Sequence, residues 1–316
     1  MRRLECPKCG ARLFFDVDTC AHCGTSVGYS LDSDSMNYST NDTRCATHSA
    51  HGCNWLTAPD LAWCPACVLI INPGANPGNI EMATFNLAIR RLRRQFTRLE
   101  IEPSTANPPL LFRCVLPDSG EDVVIGHQNG LVTLDMHEAD PAVLSEQRKS
   151  LGERYRTPLG HVRHETGHWH WQAYVYSNAE LLEDFRDLFG DERADYNDAL
   201  QRHYTRTDTG AWAEHYITAY ASAHPWEDYA ESFAHLLHIA DTFETAQAEG
   251  LAVNVQADDF DSMYAAWVPM TIGLNELSRS MGLDDPYPFS PTLAAIEKLR
   301  FVHRVITSPG APAIRN

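Results

Sequence analysis

The sequence predicts an α+β protein in which small cysteine-rich modules precede a mainly helical domain that contains a small antiparallel sheet. Three observations support this fold class. Cysteine pairs with two-residue spacing occur in the first 70 residues, short β-rich segments lie between residues 110 and 135, and helix start signals dominate after residue 140. Such cysteine pairs are typical of metal sites, and strands followed by helices are typical of α+β folds.

The composition limits the class of function. The 316 residues are 44% hydrophobic and carry a net charge of −17, from 25 Lys and Arg against 42 Asp and Glu. This charge argues against a protein that binds nucleic acid or anionic lipid over its whole surface. The N terminus has no apolar stretch of signal-peptide or membrane-spanning length, so we expect a cytoplasmic protein with no membrane partner. In that compartment clustered cysteines are expected to bind metal rather than form disulfides.

The first cysteine group consists of two C-x-x-C turns, and a glycine directly follows each turn. Two such turns bring four thiolates together, which is the ligand set of a structural zinc site. The glycines suit the left-handed backbone that these turns require. The spacing therefore predicts a zinc ribbon over residues 1–29, with the ligands Cys6, Cys9, Cys20 and Cys23.

The second cysteine group is less regular, and it predicts another four-cysteine zinc module over residues 30–75. Its ligands are expected to be Cys45, Cys53, Cys64 and Cys67. His48 or His51 could replace one of the first two cysteines, and Cys64 with Cys67 could instead form a redox pair. The ninth cysteine, Cys114, lies in an apolar run and is expected to be a buried strand residue.

A Pro- and Gly-rich linker at residues 73–78 separates these modules from a predicted domain over residues 79–316. The segment Ile80–Leu99 is expected to form a helix that carries five arginines between Arg90 and Arg98. This basic helix could contact nucleic acid together with the zinc ribbons, but a solvated face that balances an acidic body is the favoured interpretation.

Three short segments predict the sheet, namely Leu110–Leu116, Asp122–His127 and Leu131–Asp135. The residues Gln128–Gly130 supply hairpin turn chemistry between the last two. A helix is then expected to begin at Asp140-Pro141, because Asp is a favourable N-cap and Pro a favourable first helical residue.

The same start signal, Thr157-Pro158, precedes a helix with the sequence H-E-x-x-H. Residues i and i+4 share one face of a helix, so His164 and His168 can bind the same zinc ion. Glu165 would then face the open coordination position and act as the general base for a zinc-activated water.

A later helix is expected to supply the third ligand. His224-Pro225 is another helix start, and Glu227 and Glu231 follow at i and i+4 on one face. One carboxylate can bind zinc while the other hydrogen-bonds a ligand histidine. The residues alone leave open which carboxylate does which.

These features together resemble the bacterial zinc-binding metallopeptidases that carry an N-terminal zinc ribbon. The C-terminal stretches Leu274–Gly282 and Tyr287–Phe289 also have the character of that family, so the resemblance covers nearly the whole chain. It implies a zincin-like metallopeptidase domain. The site is similar to gluzincins of the lethal-factor type, and this likeness implies that Glu227 is the ligand and Glu231 bonds a ligand histidine. It further implies that Tyr220 donates to the oxyanion, with Tyr216 as the competing tyrosine.

The expected function is zinc-dependent hydrolysis of peptide bonds in a peptide or protein substrate, with one catalytic and two structural zinc ions. Two alternatives remain open. The chain could act on proteins associated with nucleic acid, or it could be a non-catalytic adaptor that uses a zincin scaffold. The presence of Glu165 argues against the adaptor, because a scaffold does not need a general base.

Overall fold

The computed structural model describes residues 2–76, 79–117, 124–151, 156–205, 210–252 and 259–308, with the backbone alone for 147–151. Some residues of the predicted segments lie outside these ranges, including residue 1 of the first module, linker residues 77 and 78, strand residues 122 and 123, and residues 309–316 of the predicted domain. Within the described ranges, no helix combines the length and apolar character needed to cross a membrane.

The molecule is mainly helical and has small sheets, as the sequence predicts. The strands are β1 (Leu4–Glu5), β2 (Arg12–Leu13), β3 (Val27–Ser30), β4 (Ser35–Tyr38), β5 (Leu111–Val115), β6 (Gly126–Gln128) and β7 (Leu131–Asp135). The helices are α1 (His48–His51), α2 (Ile80–Arg98), α3 (Pro141–Leu151), α4 (Pro158–His170), α5 (Ala179–Phe189), α6 (Tyr196–Thr205), α7 (Pro225–Glu249), α8 (Phe260–Ser280) and α9 (Leu293–Thr307).

The N-terminal part is built on two antiparallel hairpins, β1–β2 and β3–β4. Its core combines cysteines with three aromatic rings, those of Phe15, Tyr29 and Trp55, whose centroids lie 4.9–6.1 Å apart. Gly10 and Gly24 adopt φ values of 71° and 68° after the two C-x-x-C turns. This backbone is the left-handed one that the sequence predicts there.

The sheet of the second half is mixed, so the prediction of a purely antiparallel sheet is wrong. β6 and β7 form the predicted antiparallel hairpin, and Asn129 and Gly130 at its turn both have positive φ. β5 instead pairs in parallel with the other edge of β7, from Leu111 opposite Leu131 to Val115 opposite Asp135. The strand order is β5-β7-β6, so β5 lies beside β7 rather than beside the strand that follows it in the chain. Residue types alone do not determine that direction.

Two buried arginines of α2 join the N-terminal part to the helical part. Arg94 is 1% exposed and forms ion pairs with Asp34, at 2.9 Å, and with Glu244 of α7, at 3.0 Å. Arg90 is also buried, and its guanidinium donates to the side chains of Asn54 and Asn86. The expectation of a solvated arginine face is therefore wrong for these two residues. Both guanidinium groups have hydrogen-bond or ion-pair partners within the protein, because a buried charge without such partners is costly.

Helices α2, α4 and α7 enclose the main core, and local signals begin α4 and α7 where the sequence predicts. The Thr157 hydroxyl accepts from the Gly160 N–H, and His224 caps α7 through the Trp226 N–H. Gly167 of α4 packs directly on α7, since a Cβ at this position would lie 2.8 Å from the Cα of Ala230. The two helices can therefore approach closely.

Arg94→Ala is expected to lower the free energy of unfolding by about 3 kcal/mol, because it leaves two carboxylates without their shared cation. Arg98→Ala is the matched control. Arg98 is on the same helix and also contacts Glu244, but its side chain is 41% exposed, so we expect a loss below about 1 kcal/mol. Urea unfolding at a fixed zinc concentration measures both. Equal losses in the two variants would contradict the role of Arg94.

Candidate metal centre

The close approach of α4 and α7 brings two imidazoles onto one buried carboxylate. The Nε2 atom of His164 lies 3.0 Å from Oε2 of Glu227, and Nε2 of His168 lies 3.4 Å from the same oxygen. Glu227 is 1% exposed. Glu165 adds another carboxylate, with its nearest oxygen within 4.8 Å of the histidine nitrogens. Two imidazole nitrogens and one carboxylate oxygen at one point are a set of donor atoms that zinc accepts in proteins.

Glu231 orients the first of these histidines. Its Oε1 accepts from Nδ1 of His164 at 2.6 Å, and its Oε2 accepts from the Thr218 hydroxyl at 2.7 Å. Glu231 thus engages Nδ1, so that Nε2, which faces Glu227, is the nitrogen available to a metal ion. A hydrogen bond of this kind is the usual way in which a protein fixes a metal-binding imidazole.

The charges of the site fit a divalent cation. Burial tends to lower the pKa of His164, but the carboxylates of Glu227 and Glu231 raise it well above its ordinary value. Burial tends to raise the pKa of Glu227, yet the two histidines hold it well below the usual range. The buried carboxylates of Glu165 and Glu227 and the partly buried carboxylate of Glu231 therefore surround two imidazoles, and zinc would neutralise the excess negative charge.

Glu165 also contacts a series of paired charged groups, which consists of His161, Glu138 and Arg156. His161, one turn earlier on α4, places Nε2 3.3 Å from Glu165 and Nδ1 2.6 Å from Glu138, which also pairs with Arg156 at 2.9 Å. Burial opposes the charged imidazole, but the two carboxylates raise the pKa of His161 to about 9. Burial tends to raise the pKa of Glu165, but the His161 hydrogen bond and nearby histidines lower it to about 2.

The tyrosines near the site occupy different environments. Tyr220 lines the cavity beside the metal centre, and its ring centroid is 5.8 Å from that of His164. Tyr216 instead packs against Lys298, whose Nζ lies 4.1 Å from the ring centroid. Sequence reasoning missed Tyr196, whose hydroxyl donates to Oε1 of Glu227. It also missed Glu138. Neither residue has a fixed spacing from the H-E-x-x-H sequence, so no motif predicts it. The i,i+4 spacing of His161 and Glu165, in contrast, indicates that these two side chains can meet on one face of the helix.

The cysteines gather into the two predicted sets of four, each with its sulfur atoms within 4.8 Å of one another. Tetrahedral zinc with Zn–S bonds of about 2.3 Å separates its thiolates by about 3.8 Å. The contacts between sulfurs match this spacing, at 3.6 Å for Cys6–Cys23, 3.8 Å for Cys9–Cys20, 3.8 Å for Cys53–Cys64 and 3.7 Å for Cys53–Cys67. Both sets therefore fit zinc.

The two histidines near the second set are not part of it. His48 contacts Arg44 and the carbonyl of Cys53, and His51 is buried in the short helix α1. Cys114 lies in β5, as predicted, but it is only partly buried against the main core; this burial raises the pKa of its thiol to about 12.

Comparison with known proteins agrees with this geometry. The sequence model of one family, described as "Putative zinc-binding metallo-peptidase", matches residues 79–305. The chain belongs to this family. Three mycobacterial proteins, one from Mycobacterium bovis and two from Mycobacterium tuberculosis strains, are each 37% identical to it over 326 residues. The alignments cover 97% of this chain and 95% of each relative, and all three relatives are described as uncharacterized. No solved structure matches the chain.

Glu231→Gln is expected to weaken zinc binding at the His164 site by about 10- to 100-fold, because the amide no longer holds the imidazole as a charged acceptor. Competition with a zinc-binding dye measures the affinity. Glu276→Gln, which changes a carboxylate that is 61% exposed, is the control. Equal zinc affinity in the two variants would contradict the role of Glu231.

Proposed function

We propose that this chain is a gluzincin-type zinc peptidase that hydrolyses peptide bonds in a peptide or protein substrate. His164, His168 and Glu227 would bind the catalytic zinc, and the two four-cysteine sets would bind structural zinc ions. The convergence of two imidazole nitrogens on one oxygen of Glu227 supports this proposal most strongly. The division into modules 1–29 and 30–75 and a catalytic domain 79–316 remains a prediction.

Three protein ligands leave one coordination position open, as in catalytic rather than structural zinc sites. Zinc bound in such a site acts as a Lewis acid that lowers the pKa of water towards about 7 and polarises a carbonyl group. The protein contribution is then to position a base, an oxyanion donor and the substrate.

Glu165 is the proposed general base. It lines the cavity beside the metal centre and has a lowered pKa, so it is ionised and able to accept a proton at neutral pH. It would take a proton from the water that attacks the carbonyl carbon. The same carboxyl group would then donate the proton to the departing amine as the C–N bond breaks, which restores the carboxylate.

Tyr220 is the proposed oxyanion donor, and Tyr196 is proposed to hold Glu227. Burial raises the pKa of Tyr220 above its ordinary value, so its hydroxyl remains protonated and can donate. Its place in the cavity beside His164 supports this role over Tyr216, which packs on Lys298. Loss of one oxyanion donor typically costs about 10²–10³ in turnover.

Glu165→Gln is expected to retain all bound zinc but to lower peptide hydrolysis by at least about 10²-fold, because the amide cannot accept a proton. The assay is mass spectrometry of new peptide termini, after incubation of the zinc-loaded protein with a complex peptide library. Glu180→Gln, an exposed carboxylate on α5, is the control. Cleavage by Glu165→Gln at the rate of the control would contradict the proposal.

His161→Phe is expected to lower kcat with little change in KM, since Glu165 loses the cation that orients it. His161→Gln should restore part of the rate, because an amide can still donate to one carboxylate. Kinetics on a single peptide selected from the library, together with zinc content, separate this effect from metal loss. An unchanged kcat in His161→Phe would show that His161 does not orient Glu165 for catalysis.

A further inference from the structure

A cavity of about 500 Å³ adjoins the candidate metal centre and extends away from it. His164, Glu165 and Tyr220 line it, together with residues from the first turns of α4 and from the part of α7 that follows Glu231. Its volume lies within the range of about 300–1,000 Å³ that is typical of ligand sites. A substrate group next to the reacting carbonyl can therefore enter it directly.

Aromatic rings from separate parts of the chain contribute to the walls. Tyr204 comes from the end of α6, Trp212 from the turn before Tyr220, and Phe289 from the segment before α9. Phe289 is held in place by edge contacts with His235 and Tyr287, with ring centroids 4.5 and 5.1 Å apart. Such rings bind apolar groups well, because they offer a large rigid surface at a low entropic cost.

The charged and titratable groups along the cavity already have partners within the protein. Arg156 pairs with Glu138, the His235 ring bonds the Tyr287 hydroxyl at 2.8 Å, and His238 accepts from Arg163 at 2.6 Å. Burial lowers the pKa of both histidines, to about 4 for His235, so these rings are neutral at pH 7. Near the metal, His164 pairs with Glu231, and Glu165 pairs with His161.

A charged side chain that enters this cavity would lose hydration without a free partner of opposite charge among the described lining residues. The cost of such desolvation is large. A bulky uncharged side chain loses no hydration of this kind and gains apolar contact with the three rings. The cavity walls therefore favour large uncharged substrate side chains over charged ones.

We propose that this cavity determines specificity by receiving the substrate side chain next to the cleaved bond, and that the substrates present a large aromatic or aliphatic side chain there. This inference rests on the proposed function, because it takes the zinc site as the place of cleavage. The residues that line the cavity thus indicate a class of peptide substrate, which the zinc ligands alone do not indicate.

Isothermal titration with N-acetyl amino-acid hydroxamates tests the inference without relying on turnover, because the hydroxamate group binds zinc and the side chain samples the cavity. We expect the phenylalanine hydroxamate to bind the zinc-loaded full chain at least about tenfold more tightly than the glycine, aspartate or lysine hydroxamates. Aspartate binding equal to that of phenylalanine would point to recognition by Arg156 and would overturn the inference, as would equal binding of all four.

Substitutions of aromatic residues in the cavity wall test whether these rings cause the preference for phenylalanine. Trp212→Ala and Phe289→Ala should each reduce the preference for phenylalanine over glycine by at least about threefold, with zinc content unchanged. Trp212→Leu, which keeps an apolar wall, covers the case in which the alanine variant fails to fold. Phe14→Ala, at a ring that is 81% exposed and outside the cavity, should leave the preference intact. An unchanged preference in both wall variants would overturn the inference.

The two proposals fail in different ways. If no hydroxamate binds the zinc-loaded chain, the proposed function fails and the specificity inference fails with it. If all four bind without discrimination, the zinc site stands and the specificity inference alone is wrong.

Discussion

The contact between α4 and α7 is the constraint on which the rest of the site depends. At Gly167 the backbones approach so closely that a methyl group would collide with Ala230. This approach allows short side chains on one helix to meet those on the other, so that His164 contacts both Glu227 and Glu231. A wider separation would remove the shared point at which two imidazoles and a carboxylate converge, and with it the candidate zinc site.

Helix α2 connects this helix pair to the cysteine-rich part. Gln95 donates to the carbonyl of Leu237 on α7 and accepts from Arg163, the neighbour of His164 on α4. The preceding residue, Arg94, reaches Asp34, and nearer the start of the helix Asn86 donates to the Cys67 sulfur at 3.3 Å. Structural zinc in the second four-cysteine set would therefore stabilise the same helix that supports α4 and α7, because metal binding supplies folding free energy to small modules.

Local chemistry could be predicted from the sequence, whereas partners distant in the chain could not. Thr157 and His224 begin their helices as predicted, and the helical period places His164 and His168 on one face. The parallel pairing of β5 arises because β5 lies beside β7 rather than beside β6, and residue types do not encode that position in the sheet. The burial of Arg94 depends on carboxylates 60 and 150 residues away. Tyr196 and Glu138 reach the site in the same nonlocal way.

The zinc content of the purified full chain tests the central claim most directly. Elemental analysis by mass spectrometry should find three zinc ions per chain in the wild type and two in His168→Ala, because that substitution removes one of three ligands and leaves both four-cysteine sets intact. Two zinc ions in the wild type, with no loss in His168→Ala, would contradict the existence of a catalytic metal site between α4 and α7.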